Sequence, residues 1–123
     1  NITSAMVKAP FTVMGMSAGA RAGLTAFSKS LARRVAKNNV TINNLLPERI
    51  DSPRQVYMAE KQAEAQGISY EEARQKIVDS LATGRMGTME EFGAACAFLC
   101  SDKSGYISGQ NLQLDGGTYP GVF

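Results

Sequence analysis

The chain has 123 residues, of which 44% are hydrophobic and 20% charged, and this bounds it to at most one globular domain. Two cysteines are too few for a disulfide framework, and with no histidine present a zinc site lacks ligands; no metal is expected. No apolar run approaches the roughly 20 residues of a membrane helix, and no secretory leader is readable, so a cytoplasmic protein without a membrane partner is expected.

The chain opens on a short strand-like run, Asn1-Ile2-Thr3-Ser4, without an initiating Met, and reads as the C-terminal part of a longer domain. Residues 1–47 hold six basic residues (Lys8, Arg21, Lys29, Arg33, Arg34, Lys37) and no acidic one. Arg33, Arg34 and Lys37 fall in the last turns of a predicted helix, where the dipole favours cations. The basic stretch is therefore read as helix-end chemistry, and no nucleic-acid partner is expected.

From Ala18 to Lys37 the positions Leu24, Phe27, Leu31 and Val35 recur at helical spacing, widened by Ala20, Ala22, Ala32 and Ala36. Ser17 is placed to cap that helix. Asn38-Asn39 ends it. The run Val40–Leu46 is apolar enough for a strand buried on both faces, and Pro47 stops it. Residues 54–82 form a helical pair, with Gly67 as the stop of its first helix and Ser69 opening the second through a capping box with Glu72. Thr83–Gly87 is a loop. Thr88 to Glu91 repeats the capping pattern for a third helix, whose Phe92, Ala95, Cys96, Phe98 and Leu99 are expected to face a core. Cys96 and Cys100 on this helix read as small buried thiols. Ser101–Gly109 is turn-rich, and Asn111–Asp115 is a last strand closed by Gly116-Gly117. Strands alternating with helices mean an α/β sheet. About three strands are too few to cover this many helices, so further sheet is expected beside them.

The order and spacing of these pieces carry a resemblance. Ser4, then Ser17-Ala-Gly-Ala-Arg21 thirteen positions later, then Asn39–Pro47 resemble the second half of a short-chain dehydrogenase/reductase. Arg85-Met86-Gly87 with Glu90-Glu91, Phe98–Asp102 and Ser108–Gly117 are similar to that family's C-terminal pattern. The nearest likeness is to the 3-oxoacyl-carrier-protein-reductase-like branch. The resemblance implies the C-terminal half of a Rossmann-type doubly wound parallel sheet across residues 1–123, with a substrate lid over 54–82. It also implies an NAD(P)-dependent oxidoreductase, with NAD and NADP not distinguished, that moves hydride between nicotinamide and a small carbonyl or alcohol. Homodimers or homotetramers are usual in the family.

The family's proton machinery is Ser, Tyr and Lys. Carried over, it falls on Ser4, Ser17 and Arg21, so the Tyr is a Ser and the Lys an Arg. An aliphatic hydroxyl is a far weaker acid than a phenol near pKa 10, and it is shorter by a ring. Arg21 keeps the charge and a ribose donor, but a guanidinium is a fixed donor that does not give up protons. Three readings follow: a reductase whose proton arrives by water or by another group such as Tyr57; a cofactor-binding but catalytically weak subunit; and an electrostatic clamp of Arg21 and Ser4 on an oxyanion. The turn implied to meet the nicotinamide is Pro47, Glu48, Ile50 and Ser52. Glu48 stands where the family has Gly, either as a solvated outward carboxylate or paired with Arg49 or Arg21, and a positive φ there would be strained. Val56, Tyr57, Met58, Ile77, Val78 and Leu81 are either plain core or the wall of an apolar substrate pocket.

Overall fold

The computed structural model describes residues 1–122. At its centre lies β1 (Asn44–Pro47), paired in parallel with β2 (Asn111–Leu114) in the register Asn44↔Asn111 to Pro47↔Leu114. The opening run flanks the other edge of β1. It joins through one parallel bridge, Ile2↔Leu45, made by Thr3 N–H to Leu45 O and Leu45 N–H to Asn1 O, each 2.8 Å. The first expected strand is thus a single bridge, and Ser4 already leaves it. A central position buries β1, with Leu46 fully enclosed.

Asparagines mark the start of each of these three segments. Asn1 Nδ2 donates to Asn44 Oδ1 (3.0 Å) and to Ser28 Oγ (3.0 Å), and Asn44 Nδ2 donates to Asn111 Oδ1 (2.8 Å). Of the three, only Asn44 is buried, and its amide is tolerated there because it finds partners on both sides. The ladder sets the register of the strands and ties α1 (Gly15–Val35) to one face of the sheet through Ser28. On the other side Cys96 and Leu99 of α4 (Met89–Leu99) border a recess with Ile2 and Leu45. Helices on both faces of parallel strands make the doubly wound α/β arrangement, here its C-terminal half.

Between the strands, α2 (Pro53–Gln66) and α3 (Tyr70–Asp79) form a helical hairpin as expected. Pro53 suits the first turn of α2, where its missing N–H costs nothing. Gly67 takes the left-handed conformation (φ 64°) that ends the helix. Ser69 and Glu72 form the full capping box of α3, as Thr88 and Glu91 do for α4. Ala59, Ile77, Leu81 and Met86 close a core with Tyr70 and Val78 against it.

Several expectations need correction. A 3-10 turn, Thr12–Met14, leads into α1, so the helix begins at Gly15 and Ser17 lies inside its first turn instead of capping it. The buried face of α1 is Ala18, Thr25, Ser28 and Ala32; Leu24 and Phe27 lie exposed, Phe27 at 64%. Small residues face the sheet because the helix must come close enough for Ser28 to reach Asn1. The strand begins only at Asn44. Before it, one backbone bond toward the β2 side remains, Gly109 N–H to Ile42 O (2.8 Å), and the Asn43 side chain makes further links, accepting from Gln110 N–H (3.0 Å) and donating to Ile107 O (2.8 Å). Val40 is consequently 46% exposed. Pro47 is the last paired residue and not a terminator outside the strand, and β2 ends at Leu114, one residue short of Asp115. No residue of α4 is buried, Phe98 is exposed, and of the two free thiols Cys96 is half-buried and Cys100 exposed. Ile77, Val78 and Leu81 are hairpin core, whereas Val56, Tyr57 and Met58 are exposed.

Candidate functional site

Ligands of open parallel sheets bind outside the carboxyl ends of the strands, and here those ends carry two clefts with a shared wall. The larger, of about 320 Å³, lies between the turn after β1 (Glu48, Arg49, Ile50), the loop Thr83–Gly87, the start of α4 and the end of β2. The smaller, of about 200 Å³, is walled by Ala5, Ala9, Phe11, Tyr119 and Pro120. Glu48, Gln113 and Asp115 line both.

Ser4 is buried in extended backbone and its Oγ accepts from Met6 N–H (3.3 Å), capping the short turn Ala5–Val7 that rests on α1 and β1. This turn puts Ala5 in the smaller cleft. Ser17 and Arg21, one helical turn apart, meet directly: Arg21 Nη1 donates to Ser17 Oγ in a short contact and to Ser17 O at 3.3 Å. Ser4 bonds to neither of them among the described residues. The expected trio therefore appears as a close pair plus a separately anchored hydroxyl. Tyr57 borders neither cleft; the Arg54 guanidinium lies 5.7 Å over its ring.

The turn after β1 differs most from expectation. Its left-handed residue is Arg49 (φ 51°), and Glu48 escapes that strain. Glu48 is not outward-pointing: its N–H holds Leu114 O at 2.9 Å, and its half-buried carboxylate stands 3.3 Å from Arg49 Nε. Burial pushes its carboxyl above the usual range; Arg49 opposes this and Asp115 adds to it. Arg49 also reaches Gln55 Oε1 at 3.3 Å.

Ile50 makes a parallel bridge with Gly87 through its neighbours, Gly87 N–H to Arg49 O (3.2 Å) and Asp51 N–H to Gly87 O (2.7 Å). Such a bridge turns the N–H and C=O of Ile50 itself the opposite way, and among the described residues they have no partner. Gly87 lets the two segments come close: a Cβ there would stand 2.8 Å from Ile50 Cδ1 and would oblige that side chain to shift. Ser52 precedes α2 without spending its hydroxyl on the helix. A group with amide and hydroxyl functions, such as the carboxamide and ribose of a dinucleotide, fits this set of unspent donors and acceptors.

The remaining carboxylates are committed. Arg85 clasps Glu91 with two bonds (2.7 and 2.9 Å), and this guanidinium, together with Thr88 N–H, holds the Glu91 carboxyl down at about 2. Asp115 accepts from Gly117 N–H, Tyr119 N–H and Gln113 Nε2 (3.0, 2.8 and 2.9 Å) and shapes the turn after β2. Asp51 grips Arg74 of α3 at 2.5 Å, tying this turn to the hairpin. The sequence offered Arg49 as a partner of Glu48, and the structure makes that pair; it did not point to Asp115 as a site residue or to the Asp51–Arg74 pair. A signal existed only for Asp115, in its position just before Gly116-Gly117.

Comparisons with known proteins agree on one family. A sequence profile described as enoyl-(acyl carrier protein) reductase matches residues 1–119. The 3-oxoacyl-[acyl-carrier-protein] reductase FabG of Salmonella typhimurium is 37% identical over 102 residues, 83% of this chain and 37% of that protein. The NADPH-dependent reductase BacG of Bacillus subtilis is 31% identical over 122 residues, covering 99% of this chain and 47% of its own length. Among solved structures, YwfH, an NADPH-dependent reductase involved in bacilysin biosynthesis, superposes with a TM-score of 0.91 at 30% identity, across 99% of this chain and 46% of that one. L-sorbose reductase from Gluconobacter frateurii, solved with NADPH and L-sorbose, gives a TM-score of 0.91 at 26% identity over 98% and 46%. The chain spans less than half the length of the relatives it matches.

Proposed function

Because the chain belongs to the short-chain dehydrogenase/reductase family, we propose that it serves an NAD(P)-dependent oxidoreductase acting on a small, largely apolar carbonyl or alcohol. The observation that carries this reading is Ile50, whose backbone N–H and C=O stay unpartnered at the strand end beside an unspent Ser52 hydroxyl. These groups match a nicotinamide carboxamide. A bound dinucleotide supplies or accepts hydride. Arg21 offers its remaining guanidinium donors to the ribose, and Pro47 shapes the turn against the ring. Ser4 orients the substrate oxygen. Ser17 extends the polar path toward it, its own oxygen held by Arg21. Phe11, Ala9 and Tyr119 favour an apolar substrate body, and the hairpin over 54–82 serves as the lid. The exposed Leu24 and Phe27 of α1 suit a subunit contact in a homodimer or homotetramer. A cytoplasmic setting suits the exposed free thiol Cys100.

A second reading, a cofactor-binding subunit with weak activity, is favoured by one observation: Arg21 engages the Ser17 hydroxyl where the family has a phenol. Fluorescence titration of the complete protein with NADH and NADPH tests both, since failure to bind either dinucleotide removes them together. Ketone-reduction assays on the wild type and on Ser17→Tyr with Arg21→Lys then separate them. Turnover by the wild type is expected; activity appearing only in the double variant would favour the weak subunit.

A further inference from the structure

Glu48 is the one carboxyl lining the clefts that accepts no hydrogen bond among the described residues; its only polar contact is Arg49 Nε at 3.3 Å. The other two, Glu91 and Asp115, are consumed by Arg85 with Thr88 and by the turn after β2. Position adds to availability. Backbone pairing with Leu114 fixes Glu48 just past the carboxyl end of β1, and the residue lines both the cleft containing Ile50 and the cleft containing Ala5, next to Ser4 in sequence. Although Glu48 lies in the turn after β1, that backbone bond to Leu114 pins its main chain to β2.

Resting on the reductase reading above, we propose that Glu48 is the proton donor of this site, taking over the task for which Ser17 is too weak an acid. As the substrate carbonyl carbon receives hydride from the reduced nicotinamide, its oxygen gains the electron pair of the C=O π bond. The Glu48 O–H bond breaks and an O–H bond forms on that oxygen, giving the neutral alcohol. The carboxylate left behind faces Arg49, and the open cleft returns a proton from water. The charged groups around Glu48 agree with this cycle. Arg49 on its own turn receives the new carboxylate, Asp115 on the end of β2 favours re-protonation, and Arg85 and Glu91 across the larger cleft cancel one another. An acid poised by burial above the ordinary carboxylate range suits transfer closer to neutral pH.

The test uses the complete protein with Glu48→Gln, Glu48→Asp and Ser17→Ala. Glu48→Gln, assayed at saturating dinucleotide, is expected to lose on the order of 100-fold in kcat for ketone reduction. It should also lose the fall in kcat that the wild type shows as pH rises through the Glu48 titration. Glu48→Asp should restore that limb in part, and Ser17→Ala should retain it. Carbon-13 NMR of the Glu48 carboxyl in the dinucleotide complex gives a readout that needs no substrate. A midpoint at or below that of a free glutamate, about 4.3, overturns the inference. So does a Glu48→Gln variant with wild-type kcat and an unchanged profile, which would leave the reductase reading standing. Absence of dinucleotide binding by the wild type would remove that reading first, and this inference with it.

Discussion

At the hairpin of α2 and α3, Ile77, Leu81 and Met86 close on Ala59 while Val56, Tyr57 and Met58 stay outward; around β1, apart from Leu45 and Leu46, the chain buries alanines, serines, threonines and Asn44 and leaves Leu24, Phe27 and Phe98 outward. The hairpin is a local structure. Its caps lie within three residues of the groups they satisfy, and its core joins segments close in sequence. The sheet layer is assembled from residues far apart, such as Asn1, Asn44 and Asn111, and its outer helix faces still carry apolar surface to cover. Stability that is complete within the hairpin is therefore open-ended in the sheet layer. The candidate site lies where the two meet, at the turn 47–52.

The contrast can be broken most directly at Ile77. Ile77→Ala is expected to cost about 3 kcal/mol by chemical denaturation, the usual loss for an enclosed aliphatic side chain. A cost below 1 kcal/mol would mean the hairpin core is not closed. Removing a cap by Ser69→Ala or Thr88→Ala should cost about 1 kcal/mol each. The Thr88 cap carries a pH dependence as well. Its partner Glu91 is held at about 2 against an ordinary 4.5, so that contribution is present above pH 4.5 and is lost as pH falls through about 2. Thermal melts across that window should show a smaller decline in Glu91→Gln than in the wild type. Asp51→Asn, which severs the tie to Arg74, is expected to cost up to about 1 kcal/mol and less in high salt, because the pair is partly exposed. The smallest effect is expected at Phe27. At dilutions that keep subunits apart, and so without the proposed subunit contact, Phe27→Ala should change folding stability by under about 0.5 kcal/mol. A loss as large as that of Ile77→Ala would show that a partner surface covers this face, and sedimentation of the variant would identify a second copy as that surface.

Much of the hairpin was legible beforehand, because its cues are local: Pro53, Gly67, the two capping boxes and the helical spacing of Ile77, Val78 and Leu81. The start of α1 was misread since the 3-10 turn Thr12–Met14 carries no capping side chain to announce it. The buried face of α1 was misread for a different reason. Hydrophobic periodicity selects Leu24 and Phe27, but close approach to the sheet selects Ala18, Ser28 and Ala32. At the site, Ser4, Ser17 and Arg21 could be picked out by order and spacing, and the turn by its place after the strand. The strain on Arg49, the inward turn of Glu48 and the grip of Asp51 on Arg74 could not.

By itself the sequence determined the α/β class, the helical hairpin, the family and the replacement of a phenol and an ammonium by Ser17 and Arg21, because each rests on residue identity or on spacing along one segment. Tertiary structure alone decided which face of α1 is buried, where β1 begins, and that Glu48 rather than Glu91 or Asp115 keeps an uncommitted carboxyl. Those outcomes depend on partners 40 to 80 positions away, as with Asn1 and Asn44 or Lys29 and Gly109, and on which groups the turns have already satisfied.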